Sequence, residues 1–294
     1  LEIPLVLSRA GLDEIILNRF RIAKPSRPLK DWEKLIDTIR NPKGKVRIGV
    51  VGKYSELQDA YKSIYESLSH AGIANKCKVV LRKIRAEDVT GAGLKLLEGV
   101  DGILVPGGFG ERGIEGKICA ARYAREHKIP YLGICLGMQL LFDGSDEGPG
   151  RGIGVLDGRV TKLHATQIPQ IGWNRLDDIT DPLLVASQLS VAYYANSFVC
   201  RPVADHLPFV SAWSEHDGDR FPASVRRGNI IGTQFHPEKS SAPGVAFVRE
   251  FLQFAASSGV LMIAVPAVDL RGGKCVQLVG GDYNDERVRL DDPA

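Results

Sequence analysis

The sequence predicts an α/β fold: a three-layer sandwich with a mainly parallel sheet at its centre. Three observations lead there. Apolar strands alternate with helical segments from about residue 45 onward, the pattern of chained βαβ units. The early strands, VRIGVVGK and DGILVPGG, are almost continuously apolar, as strands covered on both faces are. One strand, IPYLGIC, runs directly into a glycine-flanked turn and LGMQLLF.

In chain order, residues 1–44 read as the end of an upstream domain followed by a linker. The opening LEIPLVLSRAGLDEI lacks the basic start, apolar run and cleavage site of a secretion signal, and its start at Leu is what a piece of a longer protein would have. Pro25, Pro28 and Pro42 bracket one amphipathic helix, DWEKLIDTIR, with Asp31 as its expected cap. The main domain is expected over 45–258. It starts with the strand VRIGVVGK, the helix DAYKSIYESLSHAG ended by Gly72, the strand CKVVLRKI, a short helix and the strand DGILVPGG. The helix EGKICAARYAREHK and the strand IPYLGIC follow. Beyond Gly144 come shorter strands, VLDGRVTKL, QIGWNRL, VAYYANSFVC, FVSAWSE and NIIGTQFH, closed by the helix APGVAFVREFLQFAAS. Residues 259–294 carry a strand and GG turns and are too few for a core of their own.

Composition narrows the function classes. With 38 Lys and Arg against 35 Asp and Glu, scattered along the chain, there is no basic footprint for nucleic acid. No stretch reaches the roughly 20 apolar residues of a membrane helix. Five cysteines without a CxxC pair argue against a zinc site and a disulfide framework, and fit a reducing cytoplasm. Neither a metal nor an organic cofactor is expected.

The sharpest local pattern is Gly133-Ile134-Cys135-Leu136-Gly137, a GxCxG between strand and helix. That is the spacing of a nucleophile elbow, in which flanking glycines let a strained residue lift its side chain off the sheet, and a helix N-terminus favours negative charge on it. A buried structural cysteine is the competing reading. A cysteine nucleophile needs a base, and His236 stands at the tip of the apolar strand NIIGTQFHPE, with Glu238 two residues on to orient the imidazole. A surface turn is the alternative for a His before Pro. Val105-Pro106-Gly107-Gly108-Phe109-Gly110 ends another strand, where bare backbone N–H groups could meet an oxyanion, with Leu136 N–H as the second donor; such turns also cradle phosphates or merely turn. No Walker-type phosphate loop is present.

PGGFG, GICLGMQ and HPE in this order resemble the class I glutamine amidotransferases, a flavodoxin-like family that hydrolyses L-glutamine to glutamate and ammonia. The resemblance implies Cys135 as nucleophile, His236 as base and Glu238 as its orienter. It further implies Gly108 and Leu136 as oxyanion hole and Gly107, Gly137, Met138 and Gln139 as lining of the glutamine site. The segment Tyr194 to Phe198 (YANSF) resembles the one whose backbone, around Asn196 and Ser197, holds the amino-acid end of glutamine.

Within that family the chain resembles different members in different parts. Residues 1–142 resemble CTP synthase, including Arg112, Gly113 and Glu115 of an RGxE associated with GTP response. About 133–258 resemble the glutaminase subunit of imidazole glycerol phosphate synthase, in GVLDGRVTKL, IPQIGWNRL, YANSF and GNIIGTQFHPEKS. Residues 262–294 resemble the start of the phosphoribosylformimino isomerase barrel, in which Asp269 matches a catalytic Asp that is expected to be inert without the rest of the barrel. The implied partner is an ammonia-accepting synthase on another chain, either a CTP synthetase domain or the imidazole glycerol phosphate cyclase barrel, with no nucleic acid or membrane involved. An exposed Trp173 at a docking face favours the cyclase, whereas Trp173 as ordinary core is the competing reading. A function of a different class, a folded but inactive glutamine- or partner-binding module, stands beside the enzyme.

Overall fold

In the computed structural model, the described residues are 2–23, 29–53, 59–108, 112–148 and 150–258, with the backbone of three further strands between 269 and 290. The chain divides into two units, Leu1–Gly259 and Val260–Ala294.

The first unit opens with helices α1 (Ile3–Arg9), α2 (Leu12–Phe20) and α3 (Lys30–Arg40). Strand β1 (Gly44–Gly52), α4 (Lys62–Ala74) and β2 (Cys77–Arg85) follow, then two 3-10 turns at Ala86–Asp88 and Gly91–Leu97. Next come β3 (Gly102–Val105), α5 (Ile114–Glu126), β4 (Tyr131–Ile134) and α6 (Leu136–Gln139). The remainder is β5 (Phe142–Ser145), β6 (Leu156–Lys162), β7 (Gln170–Arg175), α7 (Pro182–Ser187), β8 (Val191–Asn196), β9 (Phe198–Pro202), β10 (Val210–His216), β11 (Asp219–Arg227), β12 (Ile230–Thr233) and α8 (Ser241–Ser258).

Seven strands form the central sheet in the order β10-β11-β12-β4-β3-β1-β2. The pairs from β12 to β2 are parallel, and β10-β11 and β11-β12 are antiparallel. Alternation along β1 sends Val46, Ile48 and Val50 to one face, where Leu68 of α4 and Phe247 and Phe251 of α8 cover them. On the other face Val51, Ile103 and Val105 pack with Ala120, Ala121 and Ala124 of α5, whose small residues let the helix lie close to the sheet. The strands β5, β6 and β9 form a smaller sheet, and β7 and β8 an antiparallel ribbon. In the second unit β13 (Asp269–Arg271), β14 (Lys274–Val279) and β15 (Asp282–Leu290) form an antiparallel sheet. The GG turns predicted at 272–273 and 280–281 lie outside the described residues.

The local expectations need five corrections. Asp31 does not cap α3; the cap position is Leu29, and Asp31 sits in the exposed first turn, 3.6 Å from Lys34. Gly72 does not end α4, which runs two residues further with Gly72 buried against β2. The short helix after β2 is a pair of 3-10 turns. The strand read over VAYYANSFVC breaks at Ser197, its halves joining different sheets as β8 and β9. The strand β11, which carries Pro222, was not among the expected strands. Pro222 lies opposite Trp213 at a register shift, and the Trp213 backbone exchanges both its hydrogen bonds with Asp177 at 2.8 Å, so the donor that proline lacks is not needed there.

Candidate functional site

Three adjacent parallel strands, β3, β4 and β12, end at the same edge of the sheet, the edge where α/β sheets present their ligand sites. Gly107 follows β3, Cys135 follows β4, and His236 follows β12. The sequence places these residues far apart; the strand order makes them neighbours.

Cys135 has φ 53° and ψ −108°, a strained conformation for a residue with a side chain. The surroundings hold it there. Its N–H donates to the Thr233 carbonyl at 2.7 Å, and its carbonyl accepts from Met138 and Gln139 at 3.0 and 3.1 Å. Behind it the buried Tyr131 hydroxyl donates to the Gly137 carbonyl at 3.0 Å. A Cβ at Gly137 would stand 2.3 Å from the Val105 carbonyl oxygen, so the elbow packs backbone to backbone against β3. The expected helix beyond it is only the four residues of α6, too short for much of a dipole.

His236 is fixed by its backbone. Its N–H donates to the Tyr193 carbonyl at 2.8 Å, and its own carbonyl accepts from the Ser240 hydroxyl at 2.6 Å. Phe235 before it is fully buried, its ring 6.1 Å from those of Tyr194 and Phe247. The side chains of His236 and Glu238 are 13% and 4% exposed, so the histidine belongs to a covered site rather than to a solvent-facing strand tip. Glu238 reaches it from the 3-10 turn Pro237–Lys239, not from an extended segment, and its Oε1 meets His236 Nδ1 at 2.9 Å. With Nδ1 engaged, Nε2 is the ring nitrogen left to interact with Cys135.

Burial opposes charge on His236, but the hydrogen bonds to Cys135 and Glu238 and the attraction of their charges outweigh it and raise its pKa to about 10. The imidazolium is therefore the resting form at neutral pH. Glu238→Gln is expected to lower that value, since it removes a charge while leaving a hydrogen-bonding group of the same shape. The check is an NMR titration of the His236 imidazole; a midpoint unmoved by the substitution would show that the carboxylate is not what holds the proton.

Gly107 fits between the two reacting side chains: a Cβ there would lie 3.3 Å from both Cys135 Cβ and His236 Cε1. Gly108 has φ 151°, while Phe109 and Gly110 of the same motif lie outside the described residues. Beneath this turn Lys117 is buried, its Nζ donating to the Pro106 carbonyl at 3.3 Å.

A second network reaches the sulfur from below. Gln234, fully buried, donates through Nε2 to Cys135 Sγ at 3.5 Å, and its Oε1 accepts from Gln139 Nε2 at 3.1 Å. Gln139 Nε2 also lies 3.1 Å from the Phe198 carbonyl, which Asn196 reaches at 3.2 Å. Gln234 escaped the sequence reading because its role comes from the pairing of β12 with β4, not from a motif.

Beside the elbow opens a cleft of about 270 Å³, bounded by Leu136 and Gln139, by Ile114 and Glu115 at the start of α5, and by Glu147 and Arg151. Leu136 and Gln139, which the resemblance assigns to the site, border this cleft. Met138 does not, because its side chain is fully buried in the core and faces Gly232 of β12. Asn196 is buried with its amide turned to Phe198, and neither it nor Ser197 borders this cleft. Glu147 and Arg151 were missed; the signal available was two opposite charges among the glycines of DGSDEGPGRG, just after the elbow. Partial desolvation raises the Glu147 carboxyl above its usual range. Among the described residues no cluster of His, Cys, Asp and Glu could hold a metal ion, and no helix is long and apolar enough to cross a membrane. Trp173 is 55% exposed, which excludes the core reading, and Ile171 beside it on β7 is 67% exposed.

Comparison with known proteins agrees with this fold. The family model "Glutamine amidotransferase class-I" matches residues 56–253. Among solved structures, the glutaminase domain of Trypanosoma brucei CTP synthase with bound acivicin is 25% identical, with a TM-score of 0.59 over 72% of this chain and 94% of that one. A protein from Thermoplasma acidophilum described as a GMP synthase component is 20% identical, with a TM-score of 0.50 over 72% of this chain and 94% of that one, a likeness of fold.

Proposed function

Because the chain belongs to the class I glutamine amidotransferase family, we propose that it hydrolyses L-glutamine with Cys135, His236 and Glu238 and hands the ammonia to a synthase. One observation carries the reading: a strained cysteine and an imidazole brought together across Gly107, the imidazole oriented by a buried carboxylate at 2.9 Å. In this site the Cys135 sulfur attacks the amide carbon of glutamine, and the oxyanion meets backbone N–H groups of the Gly107–Gly108 turn and of Leu136. His236 gives its proton to the departing ammonia, leaving a γ-glutamyl thioester on Cys135. The imidazole then takes a proton from water, whose attack on the thioester carbon expels the sulfur, releases glutamate and restores the sulfur–imidazolium pair. All of this uses the chain's own groups.

The cleft fits the other end of the substrate. Glutamine is a zwitterion at its α-carbon, and Glu147 and Arg151 offer one charge of each sign on a wall shared with Leu136 and Gln139. Glu147 would hold the α-ammonium and Arg151 the α-carboxylate. Glu147→Gln is expected to raise KM for glutamine by roughly 10–100-fold with a smaller change in kcat, the size of a lost charge-assisted hydrogen bond made equally in ground and transition states. Steady-state kinetics decide it: an unchanged KM would place the α-ammonium elsewhere.

The acceptor of the ammonia is either UTP on a CTP synthetase domain, supported by the likeness to a CTP synthase glutaminase domain, or the substrate of the imidazole glycerol phosphate cyclase, supported by exposed Trp173 and Ile171. The test is glutamate release from glutamine by the purified chain, alone and with each synthase. The partner that raises the rate names the pathway. No release from folded protein in any mixture would leave a binding module with an idle triad.

A further inference from the structure

A buried amine lies under the turn that the glutaminase reading assigns to the oxyanion. Lys117 of α5 is 2% exposed, although lysine is among the residues least often fully buried. Its Nζ donates to the Pro106 carbonyl at 3.3 Å, and a Cβ at Gly108 would come within 3.8 Å of that nitrogen, so the amine lies against the whole turn. On its other side the turn is wedged at Gly107 between Cys135 and His236. A trans peptide points its C=O and the following N–H in opposite directions. Holding the Pro106 carbonyl toward Lys117 therefore fixes the peptide plane that enters the turn, with the Gly107 N–H aimed away from the amine, and so sets the course of the backbone into Gly108, the assigned donor.

We propose that Lys117 is a positioning residue for the oxyanion turn: its ammonium clamps the Pro106 carbonyl and so fixes the direction of the backbone N–H groups that meet the glutamine amide. This rests on the glutaminase reading. The groups facing the amine are Cys135 from the elbow, Lys53 from the end of β1 and Glu87 from the 3-10 turn Ala86–Asp88, Glu87 itself being paired with Arg112 at 3.0 Å. Burial is the strongest influence and lowers the Lys117 pKa to about 8; Lys53 adds to this, and Cys135 and Glu87 work against it. The clamp is thus charged at neutral pH and weakens as the pH rises through that value, because a neutral amine donates a weaker hydrogen bond than an ammonium.

The test combines glutaminase kinetics across pH with backbone hydrogen exchange of the peptide spanning Ile103 to Gly108, in wild type, Lys117→Met and Lys117→Arg. Wild-type kcat is expected to step down near pH 8. In Lys117→Met, kcat at neutral pH should fall about 10-fold with KM within about twofold, a fraction of what loss of an oxyanion donor itself costs. That step should vanish and the peptide exchange faster. Lys117→Arg, a permanent cation, should also remove the step. Unchanged exchange in Lys117→Met overturns the proposal, and so does a wild-type profile flat through that pH, even if Lys117→Met does not fold. If the wild type releases no glutamate with any synthase, the glutaminase reading fails, while the exchange comparison still decides whether Lys117 holds the turn.

Discussion

Cys135→Ala abolishes glutamate release while the protein stays folded: that is the expected result, with kcat down on the order of 10⁶-fold as when a nucleophile of a triad is deleted. Two further effects accompany it. The His236 pKa, held up to about 10 partly by Cys135, falls toward the ordinary histidine range, because one of its two partners is gone. Gln234 Nε2 loses the sulfur as acceptor in a fully buried position, which costs about 1–3 kcal/mol of stability. A glutamate assay, an imidazole titration and a thermal melt read the three separately. Turnover retained by Cys135→Ala would sink the triad reading outright.

Gly137→Ala is expected to destabilise the protein and disturb the elbow together. The added methyl would stand 2.3 Å from the Val105 carbonyl oxygen, and a peptide oxygen inside the parallel part of the sheet cannot rotate away as a side chain could. Overpacking of this kind costs typically about 1–3 kcal/mol and occasionally more. Since the elbow would have to lift off β3, the geometry around Cys135 moves with it, so turnover should fall even well below the melting temperature. A melt within a degree of wild type would mean that the elbow and β3 have slack between them.

How much of this was legible in the sequence depended on how local each cause is. The elbow was readable because its two glycines stand two residues either side of Cys135, Gly133 being crowded by the Gly137 carbonyl of its own turn, and the His236–Glu238 pair because its members are two residues apart. The layering was readable because strands covered on both faces are apolar throughout. What failed depended on distant partners. The strand β11 went unread, and nothing near Pro222 in the sequence reveals that Trp213 opposite it bonds to Asp177 instead. Met138 sat in the motif beside Gln139, yet successive residues of a helical turn point about 100° apart, so one reached the cleft and the other the core. Gln234 and Lys117 carry no signature at all, since each acts on a residue brought to it by the order of strands.

That order has a consequence for how the protein comes into being. Strands β2, β1, β3 and β4 are all complete by residue 134, but β12, which covers the open side of β4, is not translated until residues 230–233. Until then a nascent chain exposes β4 as a raw sheet margin, with the sulfur beside it and no proton acceptor opposite. Insertion of β12 seals that margin and delivers the imidazole in one event, so the thiol is armed by the same late, long-range pairing that completes the sheet. On the proposed glutaminase reading, a half-made chain is thereby chemically quiet, and cleavage of glutamine begins only when the architecture is closed.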